Sequence, residues 1–484
     1  MIRILISALI ITCCFIALIV LIMTEKMNRA ILAISGALIT YFVLTFFEQS
    51  DFSLIVDLLF GTQDDGFVNL HSLMLIVGIM FIVHISDEIG TFQFLAVIAI
   101  KMSKGKPIPL LIILCIVSAV FSSILNNILT VMILIPLTIT ISRVLNVSPT
   151  PYILTQAIMV NLGGTVFPIS SIPNIIITRE VGISFPDFFF KVGIFSIITI
   201  AFTILLFVFI YKNELSIPKD KAINILLYDF DIWNVVQSPR LLYASLGALI
   251  VLMISLFALE EIVAPDAIAL SIAMVLTIFS RLDAREIIRK FDFELIFYLL
   301  GIFVIVGGLE VVGVLTYVES VLRNIGAGDD FLQLILIMWI AALSSAVIDN
   351  VPITKAFIPI VTGISGNSST LTNMYFFSLS IGANWGDNLT PLGDNILVLN
   401  IARENNRPIS ILTFWKLGFI ATMYQLFLAT LYFTLFYHLT LGFVFIIIIG
   451  FFTTFIFILQ KTGPYKIQLG VNKAFTRFRN FIIT

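Results

Sequence analysis

Phe121-Ser122-Ser123-Ile124-Leu125-Asn126-Asn127 is written a second time as Ser344-Ser345-Ala346-Val347-Ile348-Asp349-Asn350. Ser122 and Ser345 lie 223 positions apart, as do Asn127 and Asn350, and the offset persists beyond them without a gap. It pairs Pro136 with Pro359, Gly163 with Gly386 and Pro168 with Pro391. Upstream it pairs Gly78 with Gly301, Asp87 with Glu310 and Gly90 with Gly313. Polar residues, Gly and Pro are the types a lipid-facing helix excludes, because the bilayer offers no water to freed backbone groups. A duplicated apolar chain with polar breaks in matching places points to a secondary transporter, its site where the repeats meet.

The composition agrees. Of 484 residues 60% are hydrophobic and 12% charged, against about 25% charged in a soluble protein. A net charge of −2 without a basic, aromatic-interleaved patch gives no reason to expect nucleic acid. Cys13, Cys14 and Cys115 sit in apolar runs and read as small hydrophobes. His71, His84 and His438 have no ligand spacing, and there is no HExxH or Walker loop, so metal hydrolysis, nucleotide chemistry and a resident cofactor find no support. Residues 4–23 are long enough to cross a bilayer and lack a small-residue cleavage site, which reads as a retained first helix.

Lys and Arg orient the loops, since basic loops stay cytoplasmic. Lys26 and Arg29 put the first loop inside; the loop from Glu48 to Leu70, acidic and free of Lys and Arg, is outside. Lys101, Lys104 and Lys106 return the chain inside after a long span broken near Gly90. The arms around Asn126-Asn127 read either as two full spans, with the Asn pair at the outer surface, or as a re-entrant hairpin over 107–145 with its tip at mid-membrane. Charge does not separate the two, and asparagines at the same place in both halves favour the hairpin. A span interrupted between Asn161 and Asn174 follows. The expected organisation is N-terminal helices in 1–47, a first repeat over 71–211 and a polar cytoplasmic linker at 212–240. A second repeat over 241–437 contains a hairpin at 331–366, with an extra helix at 440–460 and a basic cytoplasmic tail at 461–484. The fold class is therefore an all-α polytopic membrane protein with about 11 transmembrane spans. Two re-entrant helical hairpins sit in two inverted-topology repeats, the N-terminus outside and the C-terminus in the cytoplasm. A cysteine at Asn127 should then react from the cytoplasm and one at Asn350 from outside.

An unpaired charge at mid-bilayer costs ~2.5–3.5 kcal/mol on insertion scales, so Asp349, Asp387, Asp394 and Lys355 need partners or water. The breaks are Asn161-Leu162-Gly163-Gly164-Thr165-Val166-Phe167-Pro168 and Asn384-Trp385-Gly386-Asp387-Asn388-Leu389-Thr390-Pro391. Gly frees the backbone there and Pro ends helices. Unwound carbonyls with Asn, Thr and Asp oxygens suit a hard cation such as Na⁺, and half-helix N-termini with hydroxyls suit an anion. The substrate-facing candidates are Ser122, Ser123, Ser170, Ser171, Pro173, Asn174 and Thr354, with Thr390, Pro391, Asp394 and Asn395. The bland alternative is that such side chains satisfy freed backbone or glue helices together. Phe-rich runs such as Phe188-Phe189-Phe190 read as lipid-facing bulk, and the scaffold helices show no clear small-xxx-small seam.

These motifs resemble the ion transporter superfamily with the citrate-transporter-like domain, nearest the branch of arsenite permeases, NhaD-type sodium/proton antiporters and the melanosomal P protein. The likeness covers roughly 30–437. It rests on the hairpin tips, on Gly301-Ile302-Phe303-Val304-Ile305-Val306-Gly307-Gly308-Leu309-Glu310, on Asn161 to Asn174, and on Asn388-Leu389-Thr390-Pro391-Leu392-Gly393. The resemblance implies paired hairpins and elevator-like movement of a transport domain against a scaffold. It also implies Na⁺ sites, one at Asn126, Asn127, Gly164 and Thr165 and its counterpart at Asp349, Asn350, Asp387 and Asn388. Relatives include dimers. Where relatives read Gly-Asp-Pro-Pro-Asn, this chain has Ser170-Ser171-Ile172-Pro173-Asn174, and it has Leu397 where an Asn is usual. Carboxylates are thus concentrated in the second half.

The expected function is secondary-active transport of a small anion, coupled to Na⁺ or H⁺, in the plasma membrane. The alternatives are a Na⁺/H⁺ antiporter and an arsenite or metalloid efflux permease. An enzyme is not expected: Asp387 and Asp394 form no GxGD protease motif. A channel would betray itself by single-channel currents.

Overall fold

The computed structural model describes residues 2–24, 26–215, 233, 236–282, 284–289, 291–366, 369–462 and 465–483. Most of the expected linker at 212–240 lies outside the described residues, as does the side chain of Asp394. Among the described residues the chain is helical, with no strand. α1 (Ile2–Met23) and α2 (Arg29–Phe47) lead through α3 (Phe52–Phe60) to α4 (Val68–Ile89). α5 (Thr91–Met102) precedes a hairpin of α6 (Pro107–Ser122) and α7 (Asn127–Leu145). α8 (Thr150–Gly163) and α9 (Ile172–Val181) are two halves of a broken span, followed by α10 (Phe185–Tyr211) with a π turn at Phe189–Gly193.

The second half begins with α11 (Pro239–Leu259), α12 (Pro265–Ser280) and the short α13 (Ala284–Arg289). α14 (Phe293–Val311) and α15 (Val314–Ile325) follow, then the hairpin α16 (Asp330–Ser345) and α17 (Asn350–Ser365). The broken pair α18 (Ser369–Gly386) and α19 (Asp394–Glu404) leads to α20 (Ile411–Tyr437), and α21 (Leu439–Thr462) and α22 (Tyr465–Ile483) end the chain. α5 and α15, and α6 and α16, start and finish 223 positions apart. Eight of the described helices are long and apolar enough to cross a membrane.

The copies interlock by exchanging partners: α2 packs on α14, and α12 packs on α4. Each contact is centred on a matched glycine. A Cβ on Gly301 would stand 2.6 Å from the Ala33 Cβ, and one on Gly78 would stand 2.9 Å from the Ala269 Cβ. Ala33, Gly36, Ala37 and Thr40 form one stripe of α2 facing Gly301, Ile305 and Gly308. A small-residue seam therefore exists after all, within the chain, where close backbone approach replaces the missing hydrophobic drive between helices in lipid.

The break expected near Gly90 is present: at φ 86 that glycine ends α4, and α5 sets off as a separate helix. Gly313, at φ 78, does the same between α14 and α15. Of the three phenylalanines expected to face lipid, only Phe190 is exposed. Phe188 is fully buried, and Phe189 stacks on Phe167 and meets Phe257 of α11 edge-on. The basic tail is the helix α22.

Candidate functional site

Each hairpin tip is made by a capped helix start. Asn126 accepts the Leu129 N–H at 2.8 Å and opens α7; Asp349 accepts the Val351 N–H at 3.0 Å and opens α17. Such caps satisfy donors that a helix start leaves free, and a carboxylate there also opposes the positive end of the dipole. Ser122 donates to the Val160 carbonyl at 2.6 Å, and Ser345 to the Ala383 carbonyl at 2.6 Å. The repeated serines thus pin matched hairpins to matched points on α8 and α18. Ser123 donates back to the Val120 carbonyl within its own hairpin. Thr390 ties the second break to the second tip, donating to the Ala346 carbonyl at 2.5 Å.

The breaks fall at Gly164–Ser171 and after Gly386. In the first, the Gly164 carbonyl accepts from Ser170 at 2.7 Å and from the Asn174 amide at 2.8 Å. Ser171 accepts the Asn174 N–H at 3.4 Å, and Pro173 sits in the first turn of α9, where no N–H is needed. In the second, Asp387–Leu389 form a 3₁₀ turn, and the Asn395 amide donates to the Asp387 carbonyl at 2.9 Å. Asp387 occupies the position matched to Gly164. The amide absent at Leu397 is therefore supplied from Asn395. Gly163 and Gly386, expected to free the backbone, are instead the last residues of α8 and α18. They pass so close to Ala119 and Ala342 that a Cβ would overlap the opposite main chain.

A buried polar seam crosses between the repeats. The Asn127 amide donates to the Asn161 oxygen at 2.8 Å. The Asn161 amide in turn reaches the Asp387 carboxylate at 3.1 Å and the Asn388 oxygen at 2.8 Å. Asn388 donates back to the Ile158 carbonyl at 3.2 Å. On the other side, Asn384 and Ser380 both donate to the Asn174 oxygen, at 2.9 and 2.7 Å. Trp385 donates to Thr165 at 3.0 Å, and Thr165 lies 2.9 Å from Ser196. Asn161, Asn384, Ser380 and Ser196 were not among the expected site residues. Asn161 and Asn384 carry the 223-residue offset that nominated the others, and that signal would have found them. Thr354 is fully buried with its hydroxyl unbonded, and Pro391 is buried beside the 3₁₀ turn.

Both tips border one cleft. Its wider part, ≈ 490 Å³, is lined by Asp349, Gly393 and Leu392 and by Lys26, Asn28, Arg29 and Glu294. A narrow cavity of ≈ 40 Å³, sharing Arg29, Ile128 and Asp349 with it, reaches Asn126, Asn127, Ser170, Ser171, Pro173 and Asn350, with Tyr298 also in its lining. Arg29, expected only as a topology marker, thus faces both tips. It lies 3.4 Å from Glu294 and 3.9 Å from Asp292, and its guanidinium stands over the Tyr298 ring at 5.5 Å. Asp387 lies just behind the cleft wall, since a Cβ on Gly393 would stand 2.9 Å from its Oδ1. The expectation of opposite sidedness for Asn127 and Asn350 does not follow from this geometry. Both residues border the same narrow cavity, so access to each depends on how that cleft opens. Among the described residues no group of three His, Cys, Asp or Glu side chains could hold a metal ion.

Lys355 stands apart from the tips. Its ammonium reaches Glu180 of α9 at 2.8 Å and Asn69 of α4 at 3.0 Å, over the Phe303 ring of α14.

The family model described as citrate transporter matches residues 19–382. An uncharacterized transporter of Mycobacterium tuberculosis is 28% identical over 435 residues, covering 88% of this chain and 98% of its own. The 46 kDa membrane protein of Mycobacterium leprae is 25% identical, covering 86% of this chain and 96% of its own. The P protein of Sus scrofa is 24% identical over 83% of this chain and 56% of its own length.

Proposed function

The chain belongs to the citrate transporter family, and from that premise we propose a secondary-active carrier in which a Na⁺ or H⁺ gradient drives a small anion across the bilayer. One observation carries the anion: the N-termini of α7, α9 and α17 converge with Arg29 on a single cleft. The starts of α7 and α9 each carry roughly half a positive charge and Arg29 a full one, an arrangement that favours carboxylates and phosphates. At α17 the Asp349 cap offsets the dipole.

The coupling cation belongs to the second repeat. Asp387 is a buried carboxylate where the first repeat has Gly164, and Asp349 borders the cleft a hairpin away. Asn388 and the Asn161 oxygen supply neutral ligands of the kind a hard cation takes. In this reading the first repeat supplies anion-binding donors and the second supplies the cation site, so one cation site is used rather than two equal ones.

Movement is proposed to be elevator-like. α2, α4, α12 and α14 interlock as the fixed frame, while the hairpins and broken helices travel with α10 and α20. α5 and α15, each starting after a positive-φ glycine, are the connecting arms. By the positions of the basic loops we propose a cytoplasmic C-terminus and an outside N-terminus, with the plasma membrane as the proposed location.

A Na⁺/H⁺ antiporter is the second reading, favoured by one observation: Arg29 is shared with Glu294 and Asp292, which offset its charge. Arsenite efflux draws no support, because no cysteine lines the cleft. Purified protein in liposomes separates the readings. With a Na⁺ or pH gradient imposed, uptake of citrate, other carboxylates and inorganic anions is compared with dye-reported proton flux. Gradient-driven uptake of one anion class supports the proposal; Na⁺-dependent proton flux with no anion present replaces it with the antiporter.

A further inference from the structure

We propose that α22 binds anionic phospholipid headgroups, as an interfacial arm seated on α10 and α20. The inference is independent of which ion is carried.

The helix is basic without compensation: Lys466, Lys473, Arg477 and Arg479 lie in Tyr465–Ile483 with no Asp or Glu. It follows α21, an apolar helix of 24 residues, which is enough to cross a bilayer. α22 therefore begins where a span ends.

One stripe of α22 is docked. Ile482 is fully buried, and the Phe475 ring meets Phe209 of α10 at 5.4 Å. The Arg479 guanidinium lies 2.7 and 3.0 Å from the Asn213 amide oxygen once that amide is turned to accept. The Lys416 ammonium of α20 stands 4.9 Å over the Phe481 ring. These contacts fix how the helix is rolled.

At the helical repeat of 3.6 residues, the rest of the surface then has a definite order. Beside the docked stripe of Phe475, Arg479 and Ile482 comes an apolar stripe of Ala474, Phe478 and Phe481. Phe478 is 41% and Phe481 56% exposed. Beyond it come Lys473 and Arg477, both exposed and without an acidic partner among the described residues. Aromatic bulk flanked by cations is what a helix lying in a bilayer interface requires: the rings enter the acyl boundary and the cations sit at headgroup level. A purely water-facing helix would leave the exposed parts of the Phe478 and Phe481 rings in solvent. Uncompensated positive charge beside those rings selects anionic over zwitterionic headgroups, by roughly fivefold in partition per cation.

The test uses the full-length protein in liposomes. Phe478→Cys, in a chain with Cys13, Cys14 and Cys115 replaced by Ser, carries a fluorophore, and quenching by brominated phosphatidylglycerol and brominated phosphatidylcholine is compared at equal mole fraction. The expected result is stronger quenching by the phosphatidylglycerol. That preference should fall about tenfold or more in Lys473→Gln/Arg477→Gln and return in Lys473→Arg/Arg477→Lys. Equal quenching by the two lipids, a preference indifferent to the double substitution, or no quenching by either lipid would overturn the proposal.

Discussion

Gly393→Ala should uncouple the cation from the anion without unfolding the protein. Gly393 has φ 58 and ψ −136, a region that only glycine enters without strain, so alanine costs about 1–3 kcal/mol in backbone energy. The new Cβ would stand 2.9 Å from Asp387 Oδ1, well inside contact distance, and the carboxylate must move. Asp387 accepts from Asn161 at 3.1 Å and, at the long limit, from Asn395 at 3.5 Å. A displacement of a few tenths of an ångström therefore breaks at least one of them, and a hydrogen bond to a charged group is worth about 1.5–3 kcal/mol. The cation concentration for half-maximal anion uptake should rise by about tenfold to a hundredfold. Gly182→Ala is the control: φ is +70 there and nothing lies within 4 Å of the added carbon, so it carries the strain alone. Measured in detergent, both variants should lose thermal stability, Gly393→Ala the more because it also disturbs the Asp387 hydrogen bonds. An unchanged cation dependence in Gly393→Ala, or an equal shift in Gly182→Ala, would refute the placement of Asp387 behind the cleft wall.

Other expectations follow from the same contacts. Lys355→Met strips Glu180 of its ammonium in a largely buried setting and should lower stability by about 2–4 kcal/mol. Adding Glu180→Met should restore most of the loss, as a thermal melt of the double variant will reveal. Gly163→Ala and Gly386→Ala should fail alike, each driving a Cβ into a helix backbone that cannot yield, at a cost of about 3 kcal/mol or more. Yields of monodisperse protein report this, and a well-folded Gly386→Ala variant would contradict the close crossing of α16 and α18. Glu260 follows α11 in a loop outside the spans and accepts the Phe185 N–H at 2.5 Å. Burial raises its pKa above 4.5, against the lowering effects of that hydrogen bond and of Arg179. The folded state then holds the proton more tightly than the unfolded state. Stability should fall as pH rises from about 4.5 through the raised folded value, and stay level above it. Glu260→Gln keeps the acceptor and should flatten that part of the pH–stability curve.

The sequence was most informative where a residue type has one physical use. Pro, Gly and Asn at a fixed offset located both hairpins and both broken spans, and the second hairpin runs 330–365 where 331–366 was expected. Capping asparagines and helix-ending prolines act locally, so a single chain displays them. Partners across the repeats were not legible: Asn161 meets Asp387 226 positions away, a distance no local pattern spans. Arg29 was read only as a loop charge because its role depends on how α2 lies against α14. Gly163 and Gly386 were assigned to flexibility when they serve close packing, since glycine at a break suits either use until the opposite helix is known. The buried Phe188 illustrates the same limit, because lipid and protein interior accept the same side chain.

The central claim is that a cation held at Asp387 powers anion movement through the cleft. It is tested most directly by anion accumulation in liposomes under an imposed Na⁺ or pH gradient, wild type beside Asp387→Asn at equal reconstituted amounts. The account predicts that the wild type concentrates its anion above the external level and that Asp387→Asn, correctly inserted, does not. Undiminished accumulation by Asp387→Asn would contradict it.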